Sequence, residues 1–154
     1  MLILEDTRQQ SGKHNIKADY FENNGISVIR NKLPFGDYCL PPKVAVDTKR
    51  NMDEIAGNIG GKRAEHERFK RECISARDAG CKLYFLTENT YGITSIDEVH
   101  NWINPRCVDY PNCIQGDRLE KAMKTMSERY GCEFLFCKPE ESAEIILKLL
   151  TGGE

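Results

Sequence analysis

The sequence contains no long apolar run, no basic excess, no repeat and no close cysteine pairing, and each absence removes a class of function. A bilayer-spanning helix needs about 20 consecutive apolar residues, and nothing here approaches that length, so membrane insertion is excluded. With 22 Lys and Arg against 24 Asp and Glu, the formal charge is −2. A general nucleic-acid coat is therefore excluded, and attraction to a polyanion must be local. Met1–Leu4 runs straight into Glu5 and Asp6 instead of a signal-peptide core, so a soluble, cytoplasmic protein is expected. The seven cysteines, at positions 39, 73, 81, 107, 113, 132 and 137, are odd in number and lack the tight pairs of structural zinc sites. They read as reduced thiols. No composition shift marks a boundary, and the 154 residues are enough for one domain, 1–154, with a sizeable core.

What is present is an ordinary globular composition, 40% hydrophobic and 30% charged, with two kinds of periodicity. Short apolar strands are expected over residues 2–4, 26–29, 38–40, 44–48, 82–86 and 133–137. Helices are expected over 16–24, 52–58 (capped by Asn51), 62–78, 96–103 (capped by Ser95), 117–130 and 140–150. Pro41 and Pro42 read as a turn joining the third and fourth strands, and residues 104–116, with two prolines, as a loop. The order implies an α/β protein with a mixed central β-sheet flanked by α-helices.

The stretch from Gly36 to Asp53 concentrates the chemistry. An apolar strand, Val44, Ala45 and Val46, ends abruptly in Asp47, Thr48 and Lys49. Asp47 and Lys49 are two apart and so project from one face of the strand. Asp6, Asp37 and Asp47 each stand at or near a strand end, and strand ends of one sheet can converge. Crowded carboxylates repel unless a cation neutralises them, and an all-oxygen donor set selects a hard ion, Mg2+ or Mn2+. Such an ion polarises phosphate, and an adjacent lysine orients a water and offsets developing charge. The same Asp-x-Lys spacing is also that of a surface ion pair, and Gly36-Asp37 is also an ordinary turn signal. From Gly60 to Arg71, five Lys or Arg face two Glu after paired glycines. That pattern fits either phosphate contacts or a solvated helix face.

The ordered set LILEDTR, LPFGDYCL and VAVDTKRNMDEI resembles the nuclease domain of the XPF family, a branch of the PD-(D/E)XK phosphodiesterase superfamily. The matching positions are Asp6 with Arg8, Gly36 with Asp37 and Tyr38, then Asp47, Lys49 and Asp53, and the resemblance is strongest over residues 2–89. It implies a restriction-endonuclease-like fold, with residues 90–154 completing it; family members that cut branched DNA usually add a helix-hairpin-helix module, and none is read after Asn89. It implies metal ligands at Asp37, Asp47 and Asp6, with Lys49 acting on the nucleophilic water. Asp53, Glu5 and His66 are expected as supporting residues, and Arg8, Arg50, Lys62 and Arg63 as nucleic-acid contacts. The family's Glu-Arg-Lys is Asp47, Thr48 and Lys49 here, and His66 holds the place of a glutamine. His66 is equally a candidate core histidine, since it precedes Phe69 by three residues on one helical face.

These readings combine into an expected function, a Mg2+- or Mn2+-dependent endonuclease hydrolysing phosphodiester bonds of branched or structured DNA. The alternative is a catalytically inactive nuclease-like module that binds DNA or a protein. DNA is the expected partner, and the resemblance leaves a homodimer open.

Overall fold

Along β4 (Val44–Lys49) the buried residues alternate between two cores, and this alternation fixes where the polar strand end points. Ala45 packs into one hydrophobic cluster and Val46 into another, on opposite faces of the sheet. By the same period Asp47 and Lys49 fall on the Ala45 face. The computed structural model describes residues 1–10, 12–40 and 43–152. The turn expected at Pro41 and Pro42 lies outside the described residues.

The sheet has six strands in the order β2-β1-β3-β4-β5-β6. The other strands are β1 (Leu2–Asp6), β2 (Ser27–Asn31), β3 (Tyr38–Leu40), β5 (Lys82–Glu88) and β6 (Glu133–Cys137). β3 runs antiparallel to β1 and β4, whereas β1/β2, β4/β5 and β5/β6 are parallel. The expected mixed sheet flanked by helices is thus the observed architecture. Helices α2 (Met52–Gly60), α3 (Arg63–Asp78) and α4 (Gly116–Tyr130) cover the Ala45 face, burying Met52, Phe69 and Met123 against Leu83, Phe85 and Phe134. Helices α1 (Asn15–Asn23) and α5 (Ser142–Thr151) cover the other, where Phe21 and Ile146 meet Ile3, Tyr38 and Leu86. Asn51 caps α2, its side chain accepting from the Glu54 backbone N–H at 2.9 Å. No helix among the described residues is long and apolar enough to cross a membrane.

Two features depart from the sequence expectations. The helix expected over 96–103 is a 3₁₀ helix, Ile96–Asn101. The first residue of α4, Gly116, sits so close that a Cβ there would meet the Val99 and Trp102 carbonyl oxygens at 2.4 and 2.5 Å. The segment has no room to widen into a regular helix. Cys107 and Cys113 form a disulfide, Cα atoms 5.4 Å apart, rather than two reduced thiols. The short turn Pro105–Val108, capped by the Asn104 side chain, folds the segment back and brings the two cysteines together. The other five cysteines are free.

Candidate active site

Gly36 sets the site's geometry. Its φ of +71° turns the chain into β3, and a Cβ there would stand 3.1 Å from the Ala45 Cβ. Asp37 is pinned on both sides: its N–H donates to the Val46 carbonyl at 2.8 Å and its carbonyl accepts from the Asp6 N–H at 2.7 Å. The Asp37 carboxylate then takes two bonds from Thr48, one from the backbone N–H at 2.8 Å and one from the hydroxyl at 2.7 Å. The Gly36 N–H donates to Glu72 Oε1 on α3 at 2.7 Å, which ties the helix to this turn. Gly36→Ala therefore loses on two counts, a left-handed backbone and a tight contact, and unfolding in urea should show a cost of about 1–2 kcal/mol.

Asp47 and Lys49 are both buried, 7% exposed each, at the end of β4. The Lys49 ammonium lies 2.7 Å from Asp47 Oδ1 and 5.4 and 5.7 Å from the ring centres of Phe69 and Phe85. Burial opposes its charge, but Asp47, Glu72 and Asp37 together hold its pKa above the ordinary lysine value. Burial pushes the Asp47 carboxyl up to about 7; Lys49 opposes the rise and Glu72 reinforces it. Burial, then repulsion from Asp47, raises Asp37 to about 6 against the Thr48 bonds and Lys49. The result is a cationic lysine among carboxylates that resist full ionisation in the absence of a further cation.

This group opens into a polar cleft of about 480 Å3, lined also by Glu54, Asn58, Arg8, Arg68 and Arg71. Of the residues expected from the sequence, Asp37, Asp47, Lys49 and Arg8 come together here. Several others do not. Glu5 turns to the α1 side, beside Phe21 and Tyr38, and pairs with Arg30 at 3.4 Å. Asp53 lines a neighbouring depression with Arg50 and Lys62, while Glu54, one residue on, reaches the cleft. His66 Nδ1 is 2.9 Å from the Ile59 carbonyl, and its ring lines a groove on the far side of α3. Arg50 borders the cleft's flanking hollows, and Arg63 is exposed at the start of α3. Glu72 and Glu54 were not expected. The only sequence signal for Glu72 is an acid beside the apolar stripe of Phe69, Cys73 and Ala76.

Asp6 is buried, yet its carboxylate belongs to Arg8, not to the other acids. Arg8 donates from its backbone N–H to Oδ1 and from Nε to Oδ2, both at 2.8 Å, and its Nη2 makes a further contact. Burial works against the charge on Asp6, but Arg8 holds its carboxyl below the usual range. Nη2 also reaches the Leu33 carbonyl at 3.0 Å. Arg8→Ala strands a buried carboxylate and should cost about 2 kcal/mol at pH 7. Because the folded pKa is depressed, that stabilisation is present above the unfolded value near 4 and fades as pH falls through the folded one. The wild-type and Arg8→Ala melting curves should accordingly converge toward pH 3.

The donor set suits a hard divalent cation. Asp47 Oδ1 is held, among the described residues, only by the Lys49 ammonium; Glu72 raises the Asp47 carboxyl, and Asp47 in turn raises that of Asp37. Among the described residues no three such side chains converge on one point. Mg2+ typically takes one or two carboxylates and completes its shell with water and phosphate oxygen, which Asp37 and Asp47 can accommodate.

No curated protein matches the sequence. Two solved structures share the fold, XPF from Aeropyrum pernix, with a TM-score of 0.65, and XPF from Aeropyrum pernix in complex with DNA, with a TM-score of 0.68. Each is 17% identical to the chain and aligns with 98% and 97% of it respectively. The chain spans 60% and 63% of those two proteins. The ERCC4 domain, as a family, matches residues 6–149. That match runs from the end of β1 into α5 and takes in every residue of the cleft, and the chain belongs to the ERCC4 domain family.

Proposed function

We propose that the chain is an endonuclease that hydrolyses phosphodiester bonds of branched or structured DNA with the help of Mg2+ or Mn2+. The observation that carries this reading is the buried, protonated Lys49 set between Asp47, Asp37 and Glu72 at the floor of an arginine-rimmed cleft. Family membership and the fold shared with an XPF solved in complex with DNA support it.

In this mechanism Arg8, Arg68 and Arg71 neutralise the phosphates flanking the scissile bond and position the strand without reading its sequence. Asp37 and Asp47 would hold the divalent ion, which when bound supplies Lewis-acid charge to the phosphate. Lys49 acts as a hydrogen-bond donor: being charged, it cannot take a proton, and it fixes the attacking water and offsets charge on the phosphoryl oxygens. Glu72, the third acid of the cluster, takes the water's proton as the new P–O bond forms; the opposite P–O bond breaks, and its oxygen leaves as an alkoxide that picks up a proton from solvent.

Flap, fork, junction and linear DNA incubated with Mn2+ should be cut, the branched forms fastest, and EDTA should abolish all cutting. Salt-sensitive binding with no cutting in any divalent ion would replace this reading with that of an inactive DNA-binding module.

A further inference from the structure

A second cavity lies across α3 from the cleft; the proposed mechanism does not use it, although His66 and Lys70 of the basic Gly60–Arg71 run line it. It is a groove of about 510 Å3 between α2, α3 and α4, within the size range of small-ligand sites. Its floor is apolar, built from Ile59, Ile114, Ala122 and Met126. Its rim carries Lys70, Arg118, Lys121 and Arg129, with no Asp or Glu among the described residues that line it. In a chain of net charge −2 this is a concentrated positive island.

Apolar walls under a cationic rim call for a ligand with a flat apolar body and attached negative charge. Duplex DNA presents only its phosphates to such a rim and leaves the floor empty. An acidic peptide would satisfy the rim, but α3 favours nucleic acid. The same helix that sends Lys70 into the groove sends Arg68, Arg71 and Glu72 into the cleft, so the two cavities sit on either side of one helix. A helix with its side chains is about 10–12 Å across. A strand leaving the cleft needs only a few nucleotides to cross it.

We infer that this groove binds a nucleotide of a single-stranded arm of the substrate, its base on the Ile59, Ile114, Ala122 and Met126 floor and its flanking phosphates on Lys70, Arg118, Lys121 and Arg129. The inference rests on the nuclease reading and extends it, since it makes a single-stranded arm part of the substrate. Binding driven by burying a base is tolerant of sequence, as every base has an apolar face. The phosphate contacts add salt dependence.

The test measures binding of a fluorescent oligothymidine to the full chain in EDTA, so that no cleavage or metal is involved. Arg118→Ala with Lys121→Ala should weaken binding about tenfold and lower the slope of log affinity against log salt by about 1–2. Ala122→Leu, which fills the floor without adding an aromatic stacking surface and leaves the charges, should weaken oligothymidine about threefold or more without changing that slope, and should leave a blunt duplex unaffected. Ala122→Val, a smaller filling, decides the question if the leucine variant fails to fold. Unchanged oligothymidine binding in folded floor variants overturns the base site. Groove-dependent self-association in sedimentation, or an acidic amphipathic peptide that competes while oligothymidine does not, overturns it as well. A chain that cuts DNA but ignores these substitutions loses only this inference, whereas one that binds through the groove and never cuts loses only the nuclease reading.

Discussion

Replacing Lys49 with methionine should reduce cleavage by about 10^2–10^3-fold, the usual cost of removing one preorganised donor from developing charge. DNA affinity should stay within about threefold, because one contact in a cleft rimmed by three arginines contributes little to electrostatic binding. Methionine keeps the volume beside Phe69 and Phe85 and removes the charge. Loss of a buried ion's partner is often severely destabilising, but here Asp47 has an exit. Its carboxyl already sits near 7 with Lys49 opposing the rise, so without the lysine it stays protonated at neutral pH and no bare charge is left behind. Circular dichroism and thermal melting should therefore show a folded variant. Single-turnover cleavage in Mn2+, paired with affinity in Ca2+, separates the chemical step from binding. Cleavage that survives in a folded Lys49→Met protein would remove Lys49 from the mechanism. Lys49→Arg should not restore the rate, since a planar guanidinium is bulkier than an ammonium and its donors point elsewhere.

The sequence displayed the skeleton of this site because the skeleton is local. Val44 to Lys49 is a single strand, and a period of two is enough to place Asp47 beside Lys49. Gly36 announces the turn that delivers Asp37. Strand and helix order followed from periodicity, and the mixed sheet followed from the order. What the sequence does not display depends on packing between distant segments. Glu72 enters the site only because α3 crosses the sheet at that height and the Gly36 N–H binds its carboxylate, a contact across 36 residues. Glu54 reaches the cleft where Asp53 does not, a one-residue rotation of α2 that no periodicity resolves. His66 faces away from the acids because α3 has two useful sides, and the stripe through Phe69 does not say which is which.

Asp6 shows the opposite limit. It stands at a strand end, as expected, and is buried, yet Arg8, only two residues on, captures its carboxylate. The information was local and was outweighed by the chain-order pattern. The pair still serves the site, since the Asp6 N–H holds the Asp37 carbonyl and Arg8 lines the cleft. Asp6 thus orders the turn through its backbone while its side chain stays with Arg8. The distinction is measurable: an Asp6→Asn protein should lose stability more than it loses rate per folded molecule.

Asp37→Asn should invert the usual relation between stability and activity. The raised carboxyl of Asp37, at about 6, means that the folded metal-free protein prefers it neutral. Its contribution to stability is full below the unfolded value near 4 and is lost as pH rises through about 6. At pH 8 without metal the wild type carries the cost of a buried, ionised carboxylate held beside Asp47. Asparagine carries none, and its amide oxygen can still accept from Thr48. In EDTA at pH 8 the variant should therefore be more stable by about 1–2 kcal/mol, a gain that shrinks toward zero near pH 4. Adding Mg2+ should stabilise the wild type in proportion to the logarithm of its concentration and leave the variant almost unmoved. The order of melting temperatures at pH 8 should then reverse, while cleavage by the variant stays at least about 10^2-fold down because a ligand of the ion is gone. An Asp37→Asn protein less stable than wild type in EDTA at pH 8 would show that burial of the Asp37 charge and its repulsion from Asp47 do not govern this cleft. Equal metal-induced stabilisation of the two proteins would place the ion elsewhere.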